Sequence, residues 1–365
     1  MKNKVKPLLI GSIIVIGVCI IAIKMEIIPI VNAKIEDAMT DTVVIHYNQE
    51  NPPVARSVVS PDRKQLAFCN GKQEFSVQEL STGKITTYTV TEKVFQVKYS
   101  PDGRYLAVGR NILNTETGEV TLLPTQADPG SSFDEIAFST NGELLAIVND
   151  DLALHPTRPT VIEIWNLQTK QLIQKFTKDR FLIHQMSFSP DGHYLAVAGD
   201  AITLWDIQTG KCVKTLMTDA TPSDNILGTP TNYNALSYSP DGKHVAAVLI
   251  SEYGPARGKG SQMQGIEIWD TEQEKVVKTL ELGRYDTMYK LQYSPDGLYI
   301  ASGKGVGINN EIIRDAVWIW DVNRGEVVKK LTQFPEYSLA TMDYSADGNY
   351  ISASGNYYTK IWKIK

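Results

Sequence analysis

An all-β chain closed into a seven-bladed β-propeller of four-stranded antiparallel blades, behind one N-terminal hydrophobic helix, is the architecture this sequence predicts. Three observations carry it: one turn element recurs seven times, short apolar strand-like stretches flank each copy, and five later stretches end in tryptophan. Repeats of 39 to 55 residues that cannot bury their own apolar faces must stack on their neighbours, and a radial array does so with few free edges. The expected organisation is a leader over residues 1–33, a linker over 34–40 and the propeller over 41–365.

The leader differs from everything after it. Lys2, Lys4 and Lys6 precede an uncharged apolar run over residues 7–23, which Lys24 ends. As a helix this run rises about 25 Å, at the short end of a bilayer span. More positive charge before the run than after it places the N-terminus in the cytosol and the propeller outside. An uncleaved signal anchor is the favoured reading, because the run is longer than the usual apolar segment of a cleaved signal. Two alternatives stand beside it. Val31 and Ala33 suit cleavage after Ala33 and a secreted product, and Ile16-Gly17-Val18-Cys19 loosely resembles a bacterial lipobox, with lipidation at Cys19.

The repeat begins with the turn: SPDR at 60, SPDG at 100, STNG at 139, SPDG at 189, 239 and 294, and SADG at 345. Serine first, proline second and glycine fourth suit a type I turn between antiparallel strands. The residues before it alternate, and Tyr99, Phe138, Phe188, Tyr238, Tyr293 and Tyr344 end six of the seven first strands. Period-two alternation marks one buried face. YLAVG, LLAIV, YLAVAG, HVAAV, YIASG and YISASG follow as second strands, too short for helices. IEIWN, ITLWD, IEIWD, VWIWD and TKIWK supply third strands, with degenerate versions FSVQEL and RNILNT in the first two copies. A turn such as QTG or NRG then leads to a fourth strand such as KCVKTL or EVVKKL.

Together the Ser-Pro-Asp-Gly turn, the apolar strand, the Trp-Asp ending and the Thr-Gly turn resemble WD40 repeats across most of the chain. The family's Gly-His pair is missing from all seven copies, and with it the buried network of His, Ser and Asp that braces a blade. The resemblance implies closure through the chain ends: the last copy is one strand short, and residues 42–47, TVVIHY, would supply that strand to blade seven.

Composition narrows the chemistry. A net charge of −5 offers no field for nucleic acid, so no nucleic-acid partner is expected. Of the three cysteines, Cys69 and Cys212 fall three blades apart and read as free thiols. None of the five histidines has a second His or Cys at metal-ligand spacing, and no metal site, catalytic residue or cofactor is expected. The GKGVG and GKGS runs at 303 and 258 lack phosphate-loop spacing and precede strands where such a loop needs a helix N-terminus.

Loop length is more informative. From turn serine to tryptophan the separation is 16 residues in blade four and 17 in blade seven, but 26, 30 and 26 in blades three, five and six. The connector between blades four and five is also long. In the WD40 family such connections share one face, usually called the top, and connections this long are commonly functional. The predicted partner-binding residues are Asp151, His155 and Arg158 in blade three, Tyr233 in the connector, Tyr253 and Arg257 in blade five, and Asn309, Asn310 and Arg314 in blade six. The expected function is a non-enzymatic, membrane-tethered scaffold binding a protein or peptide outside the cytoplasm. An extracytoplasmic propeller enzyme of lactonase or quinoprotein type, or a small-ligand or sugar sensor, is the alternative.

Overall fold

The computed structural model describes residues 32–34, 42–46, 56–124, 135–149, 159–178, 183–217, 231–251, 263–282, 288–304, 315–332, 339–355 and 358–365. Every regular element among them is a β-strand, arranged as six four-stranded sheets and one of five strands. The seven first strands are Arg56–Val59, Val97–Tyr99, Ile136–Phe138, Gln185–Phe188, Thr231–Tyr238, Met288–Tyr293 and Thr341–Tyr344. They contribute the wall of a central channel, so each sheet is a blade whose first strand is innermost. All seven predicted blades are present.

Blade four shows how sequence makes a blade. Its strands Gln185–Phe188, Tyr194–Ala198, Ile202–Asp206 and Cys212–Leu216 pair antiparallel in chain order. The second strand is buried from Leu195 to Ala198, whereas the fourth is mostly exposed and carries lysine, as suits an outer edge. A bulge between Leu204 and Trp205 shifts the pairing with the fourth strand, and the same shift precedes Trp165, Trp269 and Trp320. The core sits between blades. Ile162, Ile164 and Phe176 of blade three pack on Met186, Phe188 and Trp205 of blade four, and the Phe176 and Trp205 rings stack at 5.2 Å.

Polar clamps bridge the same gaps at the rim. Lys214 donates to the Thr271 carbonyl at 2.6 Å and Lys278 to that of Val322 at 2.7 Å, in each case from a fourth strand to the end of the next blade's third. Gln174 reaches the Ile207 carbonyl at 3.4 Å in the same way.

Blade seven joins the two ends of the chain. Strand Thr42–His46 pairs antiparallel with Tyr358–Lys363, Thr42 opposite Trp362 and His46 opposite Tyr358. A strand not expected from the sequence, Asn32–Lys34, pairs outside it, with Asn32 opposite His46. Two of its residues belong to the segment read as leader, and the point after Ala33 lies inside it. The seam with blade one is tied by Arg56 Nη1 to the Ala340 carbonyl and Thr341 Oγ1 to the Ser57 carbonyl, both at 2.7 Å. The predicted N-terminal helix falls on residues outside the described ones. Among the described residues no helix is long and apolar enough to cross a membrane.

Candidate functional site

Each Ser-Pro-Asp-Gly turn is built the same way. The serine carbonyl accepts the N–H of the fourth residue at 2.8 to 2.9 Å, and the serine hydroxyl donates to the third residue's side chain, as in Ser189 to Asp191 at 2.5 Å. The same hydroxyl accepts the N–H that starts the second strand, from Tyr194 at 2.9 Å. Glycine at the fourth position takes φ near +70°, where a Cβ is strained; in blade one Arg63 stands there at φ 61°. The seven turns form one face, and their second-position residues Pro61, Pro101, Thr140, Pro190, Pro240, Pro295 and Ala346 border the channel's mouth.

The mouth opens on a cavity of about 590 Å³. The residue two places before each turn serine faces its wall: Val58, Lys98, Ala137, Ser187, Ser237, Gln292 and Asp343. Three of these cap the free N–H groups of the neighbouring blade's innermost strand. Ser187 Oγ accepts from Tyr238 N at 3.2 Å, Ser237 Oγ from Tyr293 N at 3.0 Å and Gln292 Oε1 from Tyr344 N at 3.1 Å. Deeper in, Lys290 joins the wall, and Gln185 Nε2 reaches from blade four to the Leu291 carbonyl of blade six at 3.5 Å.

Charges of both signs are thus enclosed. Burial pushes the Lys290 ammonium below its ordinary range; Glu135 opposes this, Arg56 and Lys98 add to it, and Asp343 opposes it. Burial holds the Asp343 carboxyl above its ordinary value, against the pull of Lys98 and Lys290. The sequence reading missed this cluster. Its signal was the column of residues two before the turn, mostly polar where an inward position of a first strand is ordinarily apolar.

The strands joined by the connections singled out for length end at the opposite face. Segments 150–159, 252–262 and 305–314 link second to third strands in blades three, five and six, and 217–230 links blade four to blade five. Asp151, His155, Arg158, Tyr253, Arg257, Asn309, Asn310 and Arg314 fall on these segments, outside the described residues. Blades one and two differ, since Arg110 Nε donates to Glu92 Oε2 at 2.6 Å and Nη2 to Oε1, a part-buried pair that fastens their connector.

Tyr233 is the predicted contact that the structure describes, and its placement requires a correction. The residue belongs to the first strand of blade five, not to an exposed connector, and is completely buried. A bulge between Tyr233 and Ala235 reverses the alternation and turns the ring inward, where its hydroxyl donates to Glu267 Oε2 at 2.9 Å. Trp269 Nε1 donates to the same oxygen at 3.1 Å. Each of four third-strand tryptophans finds an acceptor nearby: Glu163 for Trp165, Thr203 for Trp205, Glu267 for Trp269 and Ser302 for Trp320.

Cys69 in blade one is buried and Cys212 in blade four exposed, and both are free. Among the described residues no group of three His, Cys, Asp or Glu side chains is placed to hold a metal ion.

Comparison with known proteins agrees with this architecture. A family model described as the anaphase-promoting complex subunit 4 WD40 domain matches residues 136–228. Protein HIR1 of Kluyveromyces lactis is 29% identical over 168 residues, 42% of this chain and 20% of that protein. The COMPASS component SWD3 of Saccharomyces cerevisiae is 30% identical over 127 residues, 33% of this chain and 36% of its own length. A WD repeat-containing protein of Synechocystis, sll1491, is 24% identical over 47% of this chain and 46% of its own length. The chain therefore spans less than half the length of each of these relatives.

Proposed function

We infer that this chain, a seven-bladed propeller of WD40 repeats, is a non-enzymatic scaffold that captures a protein or peptide on the face opposite its Ser-Pro-Asp-Gly turns. The observation that carries the reading is the asymmetry of the connections. The turns of one face are short and stereotyped, whereas the connections of 10, 11 and 10 residues at 150–159, 252–262 and 305–314 all belong to the other. A rigid ring that varies only at one end presents a surface without disturbing its core. Relatives named as components or subunits of complexes support an interaction role.

The apolar run at residues 7–23, with Lys2, Lys4 and Lys6 before it, tethers the propeller to a membrane and places it outside the cytoplasm. Retention of the leader fits strand Asn32–Lys34, because cleavage after Ala33 would divide that strand. Asp151, His155, Arg158, Tyr253, Arg257, Asn309, Asn310 and Arg314 are the proposed contacts; Tyr233 is withdrawn, being buried.

The test is crosslinking in membranes with a shortened blade five connection. Replacing residues 252–262 by a tight turn between Ser251 and Met263, which already pair, should leave stability nearly unchanged, since closure cost varies slowly with loop length. Partner capture should fall, and a Lys84→Ala, Lys211→Ala double variant on the turn face should capture normally. Loss in the double variant with retention after shortening would move the surface to the other face. A reporter after Lys365 that works only in the cytosol would refute the topology.

A further inference from the structure

The charges that line the channel have no part in the scaffold reading. Lys98 Nζ has one long bond, 3.5 Å, to the Ile136 carbonyl. The wall is rich in donors: Gln292 uses its carbonyl oxygen on Tyr344 N, which leaves its amide N–H groups, and Ser187 uses its oxygen on Tyr238 N, which leaves its hydroxyl hydrogen. Lys98, Lys290, Asp343, Gln292 and Ser187 are part-buried, and a cluster of charges and donors opening on one cavity points to an occupant that matches them.

Charge and shape define that occupant. At the rim Asp102 is paired with Arg104, and the inner charges Lys98, Lys290 and Arg56 against Asp343 and Glu135 leave one excess positive charge, which one negative charge neutralises. Lys98, Lys290 and Asp343 all line this one cavity, and both ammonium groups act on the Asp343 carboxyl. Five prolines border the mouth at the turn face, with Thr140 and Asp102 among them. Proline offers an apolar ring and no N–H, so a ligand's tail is held there by contact alone. A cavity of about 590 Å³ accommodates a small molecule and not a folded segment.

We propose that the channel is a binding site for a small organic monocarboxylate that enters from the turn face, its head between Lys98 and Lys290 and its apolar body among the prolines. The site lies on the opposite face from the partner surface and does not depend on it. Lys98 and Lys290 supply the charge-assisted donors, Gln292 and Ser187 neutral ones, and Asp343 keeps a second negative charge out.

Isothermal titration of the full chain in detergent with hexanoate and benzoate, against hexanamide and benzamide, tests this directly. The acids should bind one per chain and the amides at least tenfold more weakly. Lys98→Met and Lys290→Met should each weaken the acids at least tenfold. Ala346→Trp, at an exposed rim position, should plug the mouth and abolish binding with the melting temperature of the free protein unchanged. It decides the matter if either lysine variant fails to fold, and partner capture by the other face should survive it. Equal binding of acid and amide, unchanged binding in folded lysine variants, or unchanged binding after Ala346→Trp would each overturn the proposal.

Discussion

At the scale of single residues, blade five depends on one carboxyl. Glu267 Oε2 accepts from both Tyr233 and Trp269, so Glu267→Ala orphans two buried donors. That loss is expected to cost about 1–3 kcal/mol for each donor, read as a lower urea midpoint. Glu267→Gln keeps an acceptor and should lose less. The pair also separates in pH. Burial holds the Glu267 carboxyl above its ordinary value, against the donations from Tyr233 and Trp269. A carboxyl raised by folding contributes stability that is complete below its unfolded value, near 4.5, and is lost as pH rises through the folded value. Stability measured above pH 4.5 should therefore decline less steeply in Glu267→Gln than in the parent. An identical decline in both would show that Glu267 is not the group responsible.

At the scale of the element, the turns behave as a set of acid-sensitive clasps. The carboxyls of Asp62, Asp102, Asp191, Asp241, Asp296 and Asp347 are all held below the usual range. At Asp296, burial pushes upward but is outweighed by bonds from Lys365, Ser294 and the Leu298 N–H, and the value falls to about 2. A depressed carboxyl stabilises fully above its unfolded value, near 3.8, and the contribution is lost as pH falls toward the folded value. Removing one donor, Ser294→Ala, should raise the Asp296 titration toward 3.8, followed by carboxyl NMR, and make the protein unfold at a higher pH on acidification. An unmoved titration would mean that the hydroxyl does not hold the carboxylate. Blade three carries Asn141 in this position, accepting from Ser139 at 2.7 Å, so its clasp does not titrate.

At the scale of the whole molecule, the ring is held shut by a short N-terminal segment. A chain beginning at Asn51 lacks strands Asn32–Lys34 and Thr42–His46, leaving Tyr358–Lys363 as an open edge. Unpaired edges recruit other chains, so this variant should aggregate and melt well below a chain beginning at Lys34, by light scattering and thermal denaturation. Equal melting temperatures would show that the seam contacts of Arg56, Ser57 and Thr341 close the ring without the pairing.

The number of blades, the place of each turn and the strand that closes the ring were legible in the sequence, because each rests on local chemistry. Serine, proline and glycine impose the same turn wherever they recur, and alternation reports a strand's buried face. Tyr233 shows where that reading stops. A bulge reverses parity by one residue, and nothing in TNYNALSY marks where it falls, so a buried brace was read as an exposed contact. The channel cluster was hidden for a different reason. Lys98, Lys290 and Asp343 lie in blades two, six and seven, far apart in the chain and each unremarkable in its own strand. Local turn and strand chemistry thus determined the ring, whereas its closure alone decided which side chains meet inside it, because positions remote in sequence become neighbours only around a common axis.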